Sequence, residues 1–123
     1  MALSLTQDVT AQFNANNGYV VDMSNWDYLI FQFVSPSGTI SVTATNDNGE
    51  PASSAPSTFS GNSLTATNFQ TAVAQQLSQT TVTYVSSVSA AGLYRVDHVA
   101  NFVKFGGASA AATRVLIHFH KIC

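Results

Sequence analysis

The chain is short of charge. Only 8% of its 123 residues are charged, four basic and six acidic, against about 25% in ordinary soluble domains. A formal net charge of −2 gives no basic footprint for a nucleic-acid backbone, so nucleic acid is not an expected partner. Cysteine is nearly absent. The single thiol, Cys123, excludes an intrachain disulfide and a cysteine-built zinc knuckle. No apolar run reaches the roughly 18 residues of a spanning helix, and residues 1–8 lack the basic-then-apolar order of a secretory leader. Synthesis in a reducing cytoplasm without membrane attachment is the expectation.

In place of charge stand neutral polar side chains: 15 Ser, 13 Thr, 9 Asn and 7 Gln. The apolar fraction is an ordinary 46%, enough for one core in a chain of this length. Residues 1–17 read as an N-terminal arm or edge segment that orders on a partner, and 18–123 as a single domain.

Period-two alternation dominates that domain. In the run of residues 24–34, Tyr28, Ile30, Gln32 and Val34 share one face and Leu29, Phe31 and Phe33 the other. Both faces are largely apolar, which predicts a central strand or one covered by another subunit. Residues 39–45 read as a half-buried strand with Ile40, Val42 and Ala44 inward. It ends at the turn-forming Asn46-Asp47-Asn48-Gly49. A polar loop with two prolines occupies residues 50–61. Residues 64–79 fit a helical face (Phe69, Val73, Leu77, with Asn68 as cap) or an irregular extended segment, and the threonines favour the latter. Residues 81–88 read as a strand with Val82, Tyr84 and Val88 on one face. Further strands follow at 93–97, 101–105 and 113–122, the last with Val115, Ile117 and Phe119 inward and Arg114, Leu116, His118, His120 and Ile122 outward. Six to eight short strands between Gly, Asn, Pro and Ser breakers predict an all-β fold, an antiparallel β-sandwich or jelly roll.

Candidate chemistry is sparse. His118 and His120 are two apart on a strand, so their imidazoles share a face roughly 6.5–7 Å apart. With His98 or symmetry mates they are weak metal-ligand candidates. Without a completing acidic motif they read better as interface residues, where an unperturbed imidazole pKa of about 6.5 would let mild acid loosen a contact. Asp22 and Asp27 flank Trp26, but no acid pair is placed as glycoside hydrolysis requires. No Gly-x-Ser-x-Gly motif occurs, and Gly106-Gly107 lacks the lysine of a phosphate cradle. No catalytic residue and no cofactor site is therefore assigned. Trp26 with Tyr28, Tyr19 and Phe31 would make a stacking platform for sugar rings if exposed together. As interface anchors the reading selects Trp26, Tyr28, Leu116, His118, His120 and Ile122.

A neutral surface of Ser, Thr, Asn and Ala packs against neighbours without stranding charges. That property suits a permanently assembled particle component made in many copies. Val42-Thr43-Ala44-Thr45-Asn46-Asp47-Asn48-Gly49, and the passage from Thr83 to Ser89 followed by Ala90-Ala91-Gly92-Leu93-Tyr94-Arg95-Val96, resemble small β-sandwich proteins of tailed-bacteriophage particles. The likeness extends from Trp26 to Phe119. Pro51-Ala52-Ser53 stands where those proteins often carry an aromatic residue. The resemblance implies a capsid decoration (cement) protein, a homotrimer bound between major capsid protein subunits on the virion surface, with Tyr94 and Val96 facing the core. Its alternative implication is a carbohydrate- or receptor-binding module of a head or tail fibre. Virion parts released by lysis need neither a leader nor disulfides, which agrees with the composition.

Overall fold

A computed structural model describes residues 2–47, 68–77, 81–98 and 100–122 of the chain. The turn residues Asn48 and Gly49, the loop at 50–61, the ends of the 64–79 segment, Cys123 and the side chain of Ile122 lie outside the described residues. Among the described residues ten strands and one short helix follow in order: β1 (Ala2–Asp8), α1 (Thr10–Asn16), β2 (Gly18–Asp22), β3 (Tyr28–Val34), β4 (Ser41–Thr45), β5 (Gln70–Thr71), β6 (Ala74–Leu77), β7 (Val82–Val85), β8 (Gly92–Asp97), β9 (Phe102–Gly106) and β10 (Arg114–Ile122). They build two antiparallel sheets, one ordered β1-β10-β3-β8-β6-β7 and one ordered β2-β9-β4-β5. The fold is all-β and sandwich-like, as the alternation predicts.

The core lies between the sheets and is aromatic. Leu29, Phe31 and Phe33 of β3 and Val115, Ile117 and Phe119 of β10 are buried, opposite Ile40, Val42 and Ala44 and opposite Val103 and Phe105. Phe31 and Phe105 meet across the sandwich with ring centroids 4.0 Å apart. Phe33 makes edge-to-face contacts with Phe13 at 5.6 Å and Tyr94 at 5.9 Å. Tyr94 and Val96 are each 1% exposed. The Tyr94 hydroxyl donates to the Ala90 carbonyl at 2.6 Å, which supplies the partner a buried phenol needs, and desolvation raises its pKa.

Residues 2–16 are folded onto this frame. β1 pairs with β10 over its whole length, from Ala2 opposite Ile122 to Asp8 opposite Leu116. Helix α1 buries Phe13 completely. Asn14 ties it down by donating to the Ala112 carbonyl and accepting from the Ala112 amide, both at 2.9 Å. Asn17, at φ 53°, ends the helix in the left-handed conformation that Asn tolerates. Phe13 is the one buried residue of this helix, with Val9 buried just before it, too few for a helical period to show in the sequence.

Residues 70–77 are extended, and they change sheets. β5 pairs with β4, the Ala72 amide donates to the Val42 carbonyl, and β6 then joins β8 and β7. Residues 82–88 cross the same way. β7 pairs with β6, after which Ser86 and Val88 bond to Val42 and Ile40 of the other sheet. The expectation of one face for Val82, Tyr84 and Val88 fails at this crossing: Val82 and Tyr84 are 53% and 68% exposed, while Val88 is 4% exposed. A bend at Ser86 breaks the alternation.

Candidate interaction surface

The outer face of the six-stranded sheet is where most of the selected residues meet. Alternation turns Leu116, His118 and His120 outward on β10 and Tyr28, Ile30, Gln32 and Val34 outward on β3. Antiparallel register sets them in rows. One row runs Ser4, His120, Tyr28, Asp97; the next Thr6, His118, Ile30, Arg95, Gln75, Tyr84; the third Asp8, Leu116, Gln32, Leu93, Leu77, Val82. All of these side chains are half-buried or exposed.

Tyr28 is the centre of the first row. His120 stacks on its ring with centroids 4.7 Å apart and 24° between planes, and the Arg95 guanidinium lies 4.0 Å from the ring centroid. β10 and β8 flank β3, so these neighbours reach the ring from opposite sides and leave it little open face. His118 and His120 are 6.3 Å apart between ring centroids, close to the spacing expected from the strand. The Nδ1 of His118 lies 3.1 Å from the Thr6 hydroxyl. His98 follows β8, and its Nδ1 donates to the Trp26 carbonyl at 3.1 Å. Among the described residues no three His, Cys, Asp or Glu side chains converge as a metal-ligand set, so the three histidines are not brought together as one.

Trp26 sits apart from that face. It belongs to the turn between β2 and β3, where its amide donates to the Met23 carbonyl, and its ring packs on the core 5.1 Å from Phe119. A shared face with Tyr28 requires both residues to be in one strand, and the strand starts only at Tyr28. Tyr19 and Phe31 point into the core at 8% and 0% exposure. The sugar platform of Trp26, Tyr28, Tyr19 and Phe31 is therefore not assembled.

Charge on the face is self-neutralised. Arg95 pairs with Asp97 at 2.9 Å and Arg114 with Asp8 at 3.2 Å. These four are the charged side chains that the register places there among the described residues. Asp8 also accepts from the Thr10 hydroxyl at 2.6 Å and the Thr10 amide at 3.0 Å. Those two bonds, with Arg114 behind them, hold its carboxyl below the usual range. Of the other acids, Asp22 accepts from the Ser24 amide in its turn, and Asp47 accepts from the Asn68 side chain. Arg95, Asp97 and Thr6 were not singled out by the sequence, because their place beside Tyr28 and His118 depends on which strands pair. Comparisons with family models, with curated proteins and with solved structures find no match for the chain.

Proposed function

We propose that the chain is a structural virion component, a capsid decoration protein that stabilises a shell by binding between its major subunits, without catalysis. One observation carries the reading. Among the described residues the outer face of the six-stranded sheet is half-buried to exposed, has apolar side chains in its rows, and holds as many acids as bases, each paired within the plane. Such a face is suited to permanent burial, because covering it strands no unpaired charge. Leu116, Ile30, Leu93 and Leu77 supply apolar area and the Arg95–Tyr28–His120 stack a rigid aromatic anchor, the combination that concentrates binding energy at interfaces. The resemblance in residues 26–119 supports the choice of a phage shell as the partner.

The test is cosedimentation with shells assembled from tailed-bacteriophage major capsid proteins. Saturable binding at a fixed ratio to capsid subunits, with shells that resist heat or chaotrope better when loaded, is the expected result. A chain that stays in the supernatant at every shell concentration overturns the proposal.

A further inference from the structure

We infer that β1 is a self-pairing edge, and that two copies of this chain join along it as a two-fold dimer that continues the six-stranded sheet from one molecule into the next. Among the described residues β1 lies at the end of that sheet with β10 as its single neighbour. Exposed edges in natural proteins are usually blunted by proline, lysine, a bulge or shortness. β1 has none of these: its sequence is ALSLTQD, it is seven residues long, and its pairing with β10 is unbroken from Ala2 to Asp8. Its only charge, Asp8, is bonded to Arg114 and Thr10.

Backbone direction fits a symmetric partner. The Val9 amide donates to Val115 of the neighbouring chain segment. In an antiparallel ladder the direction alternates, so the odd residues of β1 point their amides and carbonyls at β10, and Ser4 and Thr6 point theirs out of the sheet. A second β1 running antiparallel can then pair Ser4 with the partner's Thr6, and Thr6 with the partner's Ser4. This register centres the two-fold axis on Leu5, the midpoint of Ala2–Asp8. Leu5 lies on the core-side face opposite Phe119, yet it is 46% exposed. At the axis the two Leu5 residues form a non-hydrogen-bonded pair with Cα atoms about 4.5 Å apart, the closest cross-strand spacing a sheet offers, and each covers the other. Asp8 falls opposite Ala2, so no like charges meet. An interface of this kind is isologous and closes at two copies, unlike the three-fold arrangement implied by the resemblance.

Sedimentation equilibrium of the purified chain from about 10 µM to about 1 mM, a range that brackets weak specific association, is the first measurement. The mass should rise toward twice the 13.0 kDa of one chain. Ser4→Pro removes an outward amide that β10 does not use, and Leu5→Lys sets two ammonium groups against each other at the axis. Each variant should weaken the dimer at least tenfold, with an unchanged circular-dichroism spectrum confirming the fold. As a positive probe, Leu5→Cys in a Cys123→Ser background should oxidise to a covalent dimer, whereas Gln7→Cys in the same background should not. A wild-type chain that remains at 13.0 kDa throughout, a mass of three chains, or cross-linking at Gln7→Cys as readily as at Leu5→Cys would overturn the inference.

Discussion

Replacing Phe33 with alanine tests the architecture at its centre. Phe33 is 1% exposed and holds three elements together: it meets Phe13 of α1 at 5.6 Å, Tyr94 of β8 at 5.9 Å and Phe105 of β9 at 5.6 Å. Truncating a buried phenylalanine costs about 3–5 kcal/mol, through lost transfer energy and the cavity left behind. Two edge-on aromatic partners, each contributing about 0.5–1.5 kcal/mol beyond area, place this site near about 4 kcal/mol. That is a large share of the roughly 5–15 kcal/mol that stabilises a domain. The expected fall in Tm is about 12–20 °C, from roughly 3–5 °C per kcal/mol at this chain length. Urea unfolding followed by the fluorescence of the single tryptophan reads the loss directly, since Trp26 packs on Phe119 and is released when the core opens. Gln32→Ala, one residue away on the outward face, should change stability by no more than about 0.5 kcal/mol. A loss below about 1.5 kcal/mol at Phe33, or an equal loss at Gln32, would refute the inward assignment of β3.

Three further outcomes follow from the same geometry. Gly106→Ala should cost about 1–3 kcal/mol by overpacking, because its new methyl would lie 2.6 Å from both the Asn17 carbonyl oxygen and the Gly18 Cα; a chemical-denaturation midpoint equal to wild type would contradict that close approach. Asp8→Asn should lower Tm at neutral pH and have no effect in strong acid. The folded carboxyl titrates below the ordinary 3.8, so its contribution is present above that value and is lost as pH falls through the folded pKa; an equal Tm difference at both extremes would sink the assignment. Leu116→Asp should leave a folded chain with near-normal Tm and abolish shell binding. Unfolding of this variant would place Leu116 in the core instead of on the outer face.

Local pattern was enough to determine the fold class, because six to eight short period-two runs separated by Gly, Asn, Pro and Ser breakers fit strands and leave no room for a helical core. It also identified the inward sets Ile40 and Val42, and Val115 and Ile117, and it placed Leu116, His118 and His120 on one outward face; in β3, where both faces are largely apolar, only the structure decides that Phe31 and Phe33 point inward. Tertiary structure decided the rest. α1 depends on Phe13 finding the Phe33 ring and on Asn14 finding Ala112, contacts about 20 and 98 residues away that no local period records. The sheet change at Ser86 separates Val88 from Tyr84 because the backbone bends to pair with β4, and alternation holds only while a strand stays in one sheet. Trp26 left the face of Tyr28 because it precedes the strand. The Arg95–Tyr28–His120 stack joins three strands whose order is not written in any one of them. Side-chain direction along a strand is a local steric property, whereas the neighbours a face acquires are set by which strands pair and in what register.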